Sequence, residues 1–535
     1  MARLILTLLT LCLLAPVQAA DVDTGDPDLD AAFTLLLDRD FDRKAEGITR
    51  LAHASNPATP DLLKGLMDGN LRYLKSPFRV VWAVEKGGTT TAVDAITGES
   101  LGETSKHKFK RFVVNNALRG QIRGLLAERN LDSPDPDVRV AAVRLLLDDV
   151  DPQQTALFEK RLATETDPDV RAVLETAIAL ARLHDGNPAQ RLAAVTGVAD
   201  SLEPAVRNAL TGLAGSDDDA AVRTAAAKAL QHIQSRVDMY AHVETLFFGL
   251  SLGSVLVLAA IGLAITFGVM GVINMAHGEL IMLGAYTTYL MQQLLPDMTG
   301  LSTLLAIPMA FLVSGAVGVA IERGVIRFLY GRPLETLLAT FGVSLVLQQL
   351  VRTLISPQNV PVSNPEFLSG FWQINNALSL TYNRLYIFLF SLVVFAALFF
   401  VLKRTRLGLQ VRAVSQNRNM ARAMGVRSAR VDALTFGLGS GIAGVAGVAL
   451  SQLTNVGPNL GQSYIVDSFM VVVFGGVGNL WGTLIGGLSL GVANKIMEPW
   501  VGAVLAKILV LLFIILFIQK RPRGLFPQKG RAAEN

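Results

Sequence analysis

From about Ala241 onwards the chain alternates between long apolar runs and short polar loops, and that alternation leaves it few ways to fold. Lipid offers nothing to a backbone N–H or C=O, so a run that crosses a membrane must satisfy its own hydrogen bonds as a helix. Nine such runs are expected, near residues 246–267, 272–292, 301–321, 335–355, 385–402, 431–451, 464–478, 481–497 and 504–518. The seventh is the weakest and is a candidate re-entrant segment. The expected fold class is all-α: a polytopic helical membrane domain of about eight or nine spans, preceded by a soluble helical-repeat domain. The expected divisions are 1–20, 21–240 and 241–535.

Charge separates the two halves. Residues 21–240 carry 27 Lys and Arg against 34 Asp and Glu, whereas residues 241–535 carry 20 against 10. The basic balance therefore belongs to the membrane half and its loops, which removes the case for nucleic-acid binding. Residues 1–20 read as a signal peptide: Arg3 is the positive end, 4–15 the apolar run, and Val17-Gln18-Ala19 a small-x-small cleavage pattern. The only cysteine, Cys12, falls inside it, so neither a disulfide nor thiolate chemistry is expected of the mature chain. Export of 21–240 would start the first span outside, and nine spans would then end inside. The loop at 403–430 carries Lys403, Arg404, Arg406, Arg412, Arg418, Arg422, Arg427 and Arg430 with no acid. It falls on the inner side of this arrangement, as the positive-inside rule requires.

In the soluble half, residues 26–73 read as helices with polar turns. Residues 78–93, rich in Val, Trp and Thr around Gly87-Gly88, read as a small hairpin. KHKFKR at 106–111 reads as a solvated basic turn. From Ser133 a repeat begins: DPDVRVAAVRLLL from Asp135, DPDVRAVLETAIAL from Asp167, EPAVRNALTGLA from Glu203 and DAAVRTAAAKAL from Asp219. An acidic residue opens each helix, where the dipole favours it. Val-Arg follows, with Val138, Val170, Val206 and Val222 marking the register. Spacings of 32, 36 and 16 residues give helical pairs that resemble HEAT-type repeats. No His/Asp/Glu cluster here has metal or catalytic spacing, and no cofactor is expected.

The stretch GVINMAHGELIMLGAYTT, from Gly271 to Thr288, is apolar enough for lipid yet carries Asn274, His277 and Glu279. Such groups should face protein or a water-filled path. Continued as one helix, it places Asn274, His277, Gly278, Ile281, Gly284, Ala285 and Thr288 on a small polar face about 120° wide, with Glu279 opposite. That face is expected to line a substrate passage; the plainer alternative is that Asn274 caps a helix whose first turn holds His277 and Glu279. Gly271-Val272-Ile273-Asn274 is echoed by Gly476-Val477-Gly478-Asn479, which adds Asn479 to the candidate path, since transporters place substrate between internal repeats. Glycines four apart, such as Gly478, Gly482 and Gly486, read as tight helix packing. The G-x-G-x-x-G at 439–444 lies inside an apolar span, without a preceding strand, and G-x-x-x-x-G-K-[ST] occurs nowhere. ATP binding by this chain is therefore not expected.

GLAITFGVMGVINMAHGELIMLGAY, from Gly262, resembles the first signature of the branched-chain amino acid and amide class of ABC-transporter permeases. GGVGNLWGTLIGG, from Gly475, resembles the second. The likeness covers the chain from about Leu246 to Phe526, and a long exported domain ahead of the membrane part resembles the urea permeases of that class. The resemblance implies a bacterial inner-membrane permease with a periplasmic N-terminal domain and no enzymatic activity of its own. It also implies partners: a second homologous permease subunit, two ATPase subunits and a periplasmic substrate-binding protein. The stretch from Leu407 to Arg430 would be the coupling helix that docks into the ATPase, with Arg412, Gln416, Arg418, Arg422 and Gly425 as its key positions; contact with anionic lipid is the plainer reading. The implied substrate is urea or a short amide. A neutral, flat solute needs hydrogen-bonding groups such as Asn274, His277 and Asn479 and no fixed charge. Branched-chain amino acids are the alternative substrate, and a passive channel with a scaffold domain is a further one.

Overall fold

The structure, a computed structural model, describes residues 22–75, 77–86, 89–104, 109–147 and 155–526. The signal-peptide reading, Cys12, the Gly87-Gly88 turn and the first half of KHKFKR lie outside the described residues. The chain is mostly helical and forms two compact units, Met1–Gln234 and Ser235–Asn535.

The first unit opens with α1 (Pro27–Leu36), α2 (Phe41–His53) and α3 (Thr59–Asp68). Five strands follow: β1 (Leu71–Lys75), β2 (Phe78–Lys86), β3 (Thr89–Asp94), β4 (Ser100–Thr104) and β5 (Lys110–Arg111). They form an antiparallel sheet in the order β4-β3-β2-β1-β5. The expected hairpin is β2 and β3, with Val81 opposite Asp94; the sheet extends it on both sides. One core joins helices and sheet, where Leu29, Phe33, Leu51 and Leu63 pack with Phe78, Val80 and Phe112. Each such side chain stabilises by roughly 1.5–3 kcal/mol when buried.

Then come α4 (Asn116–Asn130), α5 (Pro136–Leu146), α6 (Thr155–Thr164), α7 (Pro168–Arg182), α8 (Pro188–Val198), α9 (Pro204–Ser216) and α10 (Ala220–Met270). The repeated motif has a local cause. Asp135, Asp167 and Asp219 each accept the N–H two residues on, which caps the helix. The motif arginine then folds back on the turn it has just left. Arg139 donates to the carbonyls of Ser133 and Pro134, and Arg223 to those of Asp217 and Asp218. Arg191 does the same to Asp185 and Gly186 in a copy opened by Asn187. An acidic signature passes over that copy. Arg139 and Arg191 also clamp carboxylates further along, Glu165 and Asp217, with two hydrogen bonds each. Burial would raise the Glu165 carboxyl, but the Arg139 guanidinium and the N–H groups of Asp167 and Thr166 hold it at about 2. Glu203 opens α9 without a side-chain cap and pairs with Arg144 instead. Val170, Val206 and Val222 are buried, whereas Val138 is exposed and does not hold the register.

The second unit contains the apolar part of α10 and then α11 (His277–Leu294), α12 (Thr299–Gly324), α13 (Pro333–Leu354), a short strand pair β6 (Phe371–Asn375) and β7 (Leu378–Thr381), α14 (Tyr382–Arg404), α15 (Arg406–Gln416), α16 (Arg418–Ala423), α17 (Ser428–Ser451), α18 (Leu460–Gly475) and α19 (Leu480–Lys520). Among the described residues, α10, α12, α13, α14, α17 and α19 are long and apolar enough to cross a membrane. The 41 residues of α19 make two arms. Its backbone breaks at Gly502, φ 79°, just after Pro499. Both ends return to one place: Asn479 Nδ2 donates to the Phe526 carbonyl at 3.2 Å, and Leu525 N–H donates to the Phe474 carbonyl at 2.9 Å. Leu490 on one arm packs in the same cluster as Val510 and Ile514 on the other. The eighth and ninth expected spans are thus the arms of a helical hairpin.

Candidate functional site

Two glycines in the left-handed region mark the two signature stretches. α10 stops at Met270 and Gly271 takes φ 67°; α18 stops at Gly475 and Gly476 takes φ 106°. Three residues later each has an asparagine: Asn479 caps α19, whereas Asn274 makes a turn just ahead of α11, whose N-cap is Ala276. Asn274 Oδ1 accepts the Ala276 N–H at 3.0 Å, and Asn479 Oδ1 accepts the Gly482 N–H at 3.2 Å. The four-residue echo is a shared way of leaving one helix and entering another.

The second span accordingly begins at His277 and not near Val272. Residues 271–276 turn back into the bundle: His277 Nε2 lies 2.9 Å from the Ala259 carbonyl, eleven residues before the end of α10, which is about 16 Å along a helix. Irregular backbone at such depth must be satisfied by protein. Here Met275 N–H donates to Thr340 Oγ1 of α13 at 3.1 Å. Asn274 therefore precedes the helix and does not share its face.

The face expected to line a passage is packed against protein in this structure. His277, Gly278, Gly284 and Thr288 are buried. A methyl group on Gly278 would overlap the Gly461 carbonyl, and one on Gly284 the Gly444 carbonyl. Backbones of α11, α18 and α17 thus touch directly at these glycines, as small residues allow. Thr288 donates to its own helix at the Gly284 carbonyl, 3.2 Å. Glu279 does point the other way: Oε1 accepts from Ser344 Oγ at 3.0 Å and Gln348 Nε2 at 2.7 Å on α13. Thr336, Thr340, Ser344 and Gln348 form a buried polar stripe down α13. Sequence reasoning missed it, although its four-residue period is visible in the chain.

At one end of the bundle the basic residues gather. The ends of α10, α14 and α19 meet α15 around a cavity of about 720 Å³, with Lys403, Arg412, Gln416, Asn479 and Trp481 in its wall. Asn479 is thus brought to this end, whereas Asn274 is buried in the turn ahead of α11. α15 and α16 meet at Asn417, whose Oδ1 accepts the Met420 N–H at 3.0 Å, and Gly425, φ 86°, turns the chain towards α17. Three of the expected coupling residues are held by this chain itself. Arg418 makes two hydrogen bonds to Asp432, at 2.7 and 3.0 Å, with its guanidinium 4.8 Å from the Tyr330 ring. Arg422 Nε donates to Ser428 Oγ at 2.7 Å, and Arg412 donates to the Leu402 carbonyl. Gln416 is exposed. The most exposed apolar groups here are Met424, Leu409 and Met420, 79%, 63% and 61% exposed, with the two methionines four residues apart.

Comparison with known proteins adds three facts. Residues 245–518 match the family described as branched-chain amino acid transport system / permease component, and residues 176–246 match HEAT repeats. The high-affinity branched-chain amino acid transport system permease protein BraD of Pseudomonas aeruginosa is 32% identical over 298 residues, which is 54% of this chain and 96% of that protein. LivH of Escherichia coli, described in the same words, is 31% identical over 294 residues, covering 53% and 94%. The ribose import permease protein RbsC of Escherichia coli is 26% identical over 263 residues, covering 47% and 77%. No solved structure matches.

Proposed function

The chain belongs to the branched-chain amino acid transport system permease family, and from that premise we propose that it is the membrane-spanning subunit of an ATP-driven importer of branched-chain amino acids. The carrying observation is that the match at 245–518 takes in the whole helical bundle together with α15 and α16. The subunit works with a second homologous permease, two ATPase subunits and a periplasmic binding protein, in a bacterial inner membrane with its basic end in the cytoplasm. ATP is hydrolysed on the partners. α15 and α16 are the dock: the Arg418–Asp432 pair fastens them to α17, and Met420 and Met424 seat in an apolar groove of the ATPase. Arg412, Arg422 and Gly425 shape the dock from within.

Urea or a short amide is the second reading. It is favoured by the first unit, which lies outside the region shared with the amino-acid permeases, an arrangement that resembles urea permeases. The two differ in what they ask of the path, because an amino acid needs complements for carboxylate and ammonium whereas urea does not. The complete transporter in proteoliposomes, given labelled L-leucine or labelled urea, separates them. ATP-dependent accumulation of leucine that excess urea leaves unchanged supports the first reading. Accumulation of urea alone supports the second, and ATP-independent equilibration of either solute makes the chain a channel.

A further inference from the structure

We propose that the outward face of α18 and the second arm of α19, carrying Gln462, Ser463, Asp467 and Lys507, is this subunit's wall of the substrate passage, at the seam with the second permease subunit. The proposal rests on the importer reading. Elsewhere the spanning helices present apolar groups outward, such as Val346 and Leu350 on α13, Val393 and Phe400 on α14, and Leu505 and Ile508 on α19. Lipid suits them. Lys507 does not fit that pattern: its side chain is 46% exposed. It stands five residues after the break at Gly502 and thirteen before the end of α19, about 7 Å and about 20 Å along the helix.

Its ammonium reaches across to α18: Nζ is 2.7 Å from Asp467 Oδ2 and 3.4 Å from the Ser463 carbonyl. Asp467 Oδ1 is buried and has no hydrogen-bond partner. Gln462 and Ser463 are exposed about one turn away on α18. An amide, a hydroxyl, a carboxylate and an ammonium thus share one patch. Charged side chains at membrane depth face protein or water and mark solute pathways. At Gly278 and Gly284 the α11 face meets other backbones directly. A second permease subunit laid against the patch would enclose it in a water-filled seam. There a small zwitterion is matched at both ends, its ammonium by Asp467 and its carboxylate by Lys507.

The test uses the assembled transporter in proteoliposomes, with Cys12 replaced and single cysteines introduced. A charged, membrane-impermeant methanethiosulfonate reagent should modify Ser463→Cys, saturating L-leucine should slow that reaction several-fold, and Val393→Cys should stay unmodified over the same time. If Ser463→Cys is as inert as Val393→Cys, the patch faces lipid and the proposal fails. Lys507→Met should cut leucine uptake at least tenfold at matched assembly, with Lys507→Arg retaining more; undiminished uptake by Lys507→Met overturns the proposal. Should Lys507→Met fail to assemble, labelling of Ser463→Cys beside the native lysine decides alone. A parent that takes up no leucine overturns the substrate reading, and labelling of Ser463→Cys then still decides the passage.

Discussion

Arg418 looked from the sequence like a free charge on a basic loop, and in the fold it is a fastener. Its partner Asp432 has a side chain only 1% exposed. Removing the guanidinium would strand a buried carboxylate, at a cost of about 3 kcal/mol. Arg418→Ala should therefore lower the melting temperature of the purified chain markedly. Arg422→Ala, which loses one hydrogen bond to Ser428, should cost about 1 kcal/mol. Thermal unfolding in detergent compares the two, and equal melting temperatures would contradict the fastener role. A charge reversal at Arg418 would face Asp432 directly, so loss of transport there reports on folding before docking. Glu165 makes a parallel case with a pH signature. Its folded carboxyl sits at about 2 against an ordinary 4.5. The folded state thus binds fewer protons than the unfolded one, and the pair's contribution is complete above about pH 4.5 and lost as pH falls towards 2. Hydrogen exchange across residues 166–174 of the full chain should show Glu165→Gln less protected than the parent at pH 7, with the gap closing below pH 4.5. A gap that stays constant down to pH 3 would sink this assignment.

Among the elements, α15 and α16 carry the clearest functional expectation. If their exposed methionines seat in a partner, Met420→Asp with Met424→Asp should leave the permease folded while abolishing co-purification of the ATPase and uptake together. Undiminished uptake in that double variant would refute the dock. These helices were legible as a basic helical loop, and the apolar runs were legible as spans, because both signals are local. The hairpin at Gly502 was legible as two separate runs. The placement of Asn274 in a turn ahead of the helix was not. The start of α11 depends on Gly271 taking a positive φ and on Thr340, about 65 residues away, receiving the Met275 N–H. Periodicity says which residues share a face; it does not say what covers it. The backbones that close the α11 face belong to Gly444 and Gly461, more than 150 residues further on. The Asp467–Lys507 pair was equally hidden, since its members come from different helices and only their pairing marks the surface.

At the scale of the whole molecule, parity and charge give one answer about sidedness. Among the described residues six helices are long and apolar enough to cross a membrane; the nine crossings expected from the sequence require α11, the shorter α18 and both arms of α19 to cross as well. An odd number puts the first crossing's start and the last crossing's end on opposite faces. The last crossing ends at the basic end, where Phe526 meets Asn479 and where Lys403 and Arg412 line the same cavity as the end of α10. Basic loops stay in the cytoplasm because translocating them is disfavoured. Nine crossings with the basic end inside would put the residues ahead of the first crossing outside, where the negative balance of residues 21–240 meets no such constraint. Protease added to spheroplasts should remove residues 21–240 and spare 403–430; inside-out vesicles should give the reverse. Both cleavages must be followed in the same preparation, with tags on the two segments, because protection of one alone could reflect tight folding. Cleavage at 403–430 in intact spheroplasts would place the basic end outside, and with it the dock, on the side where no ATP is available.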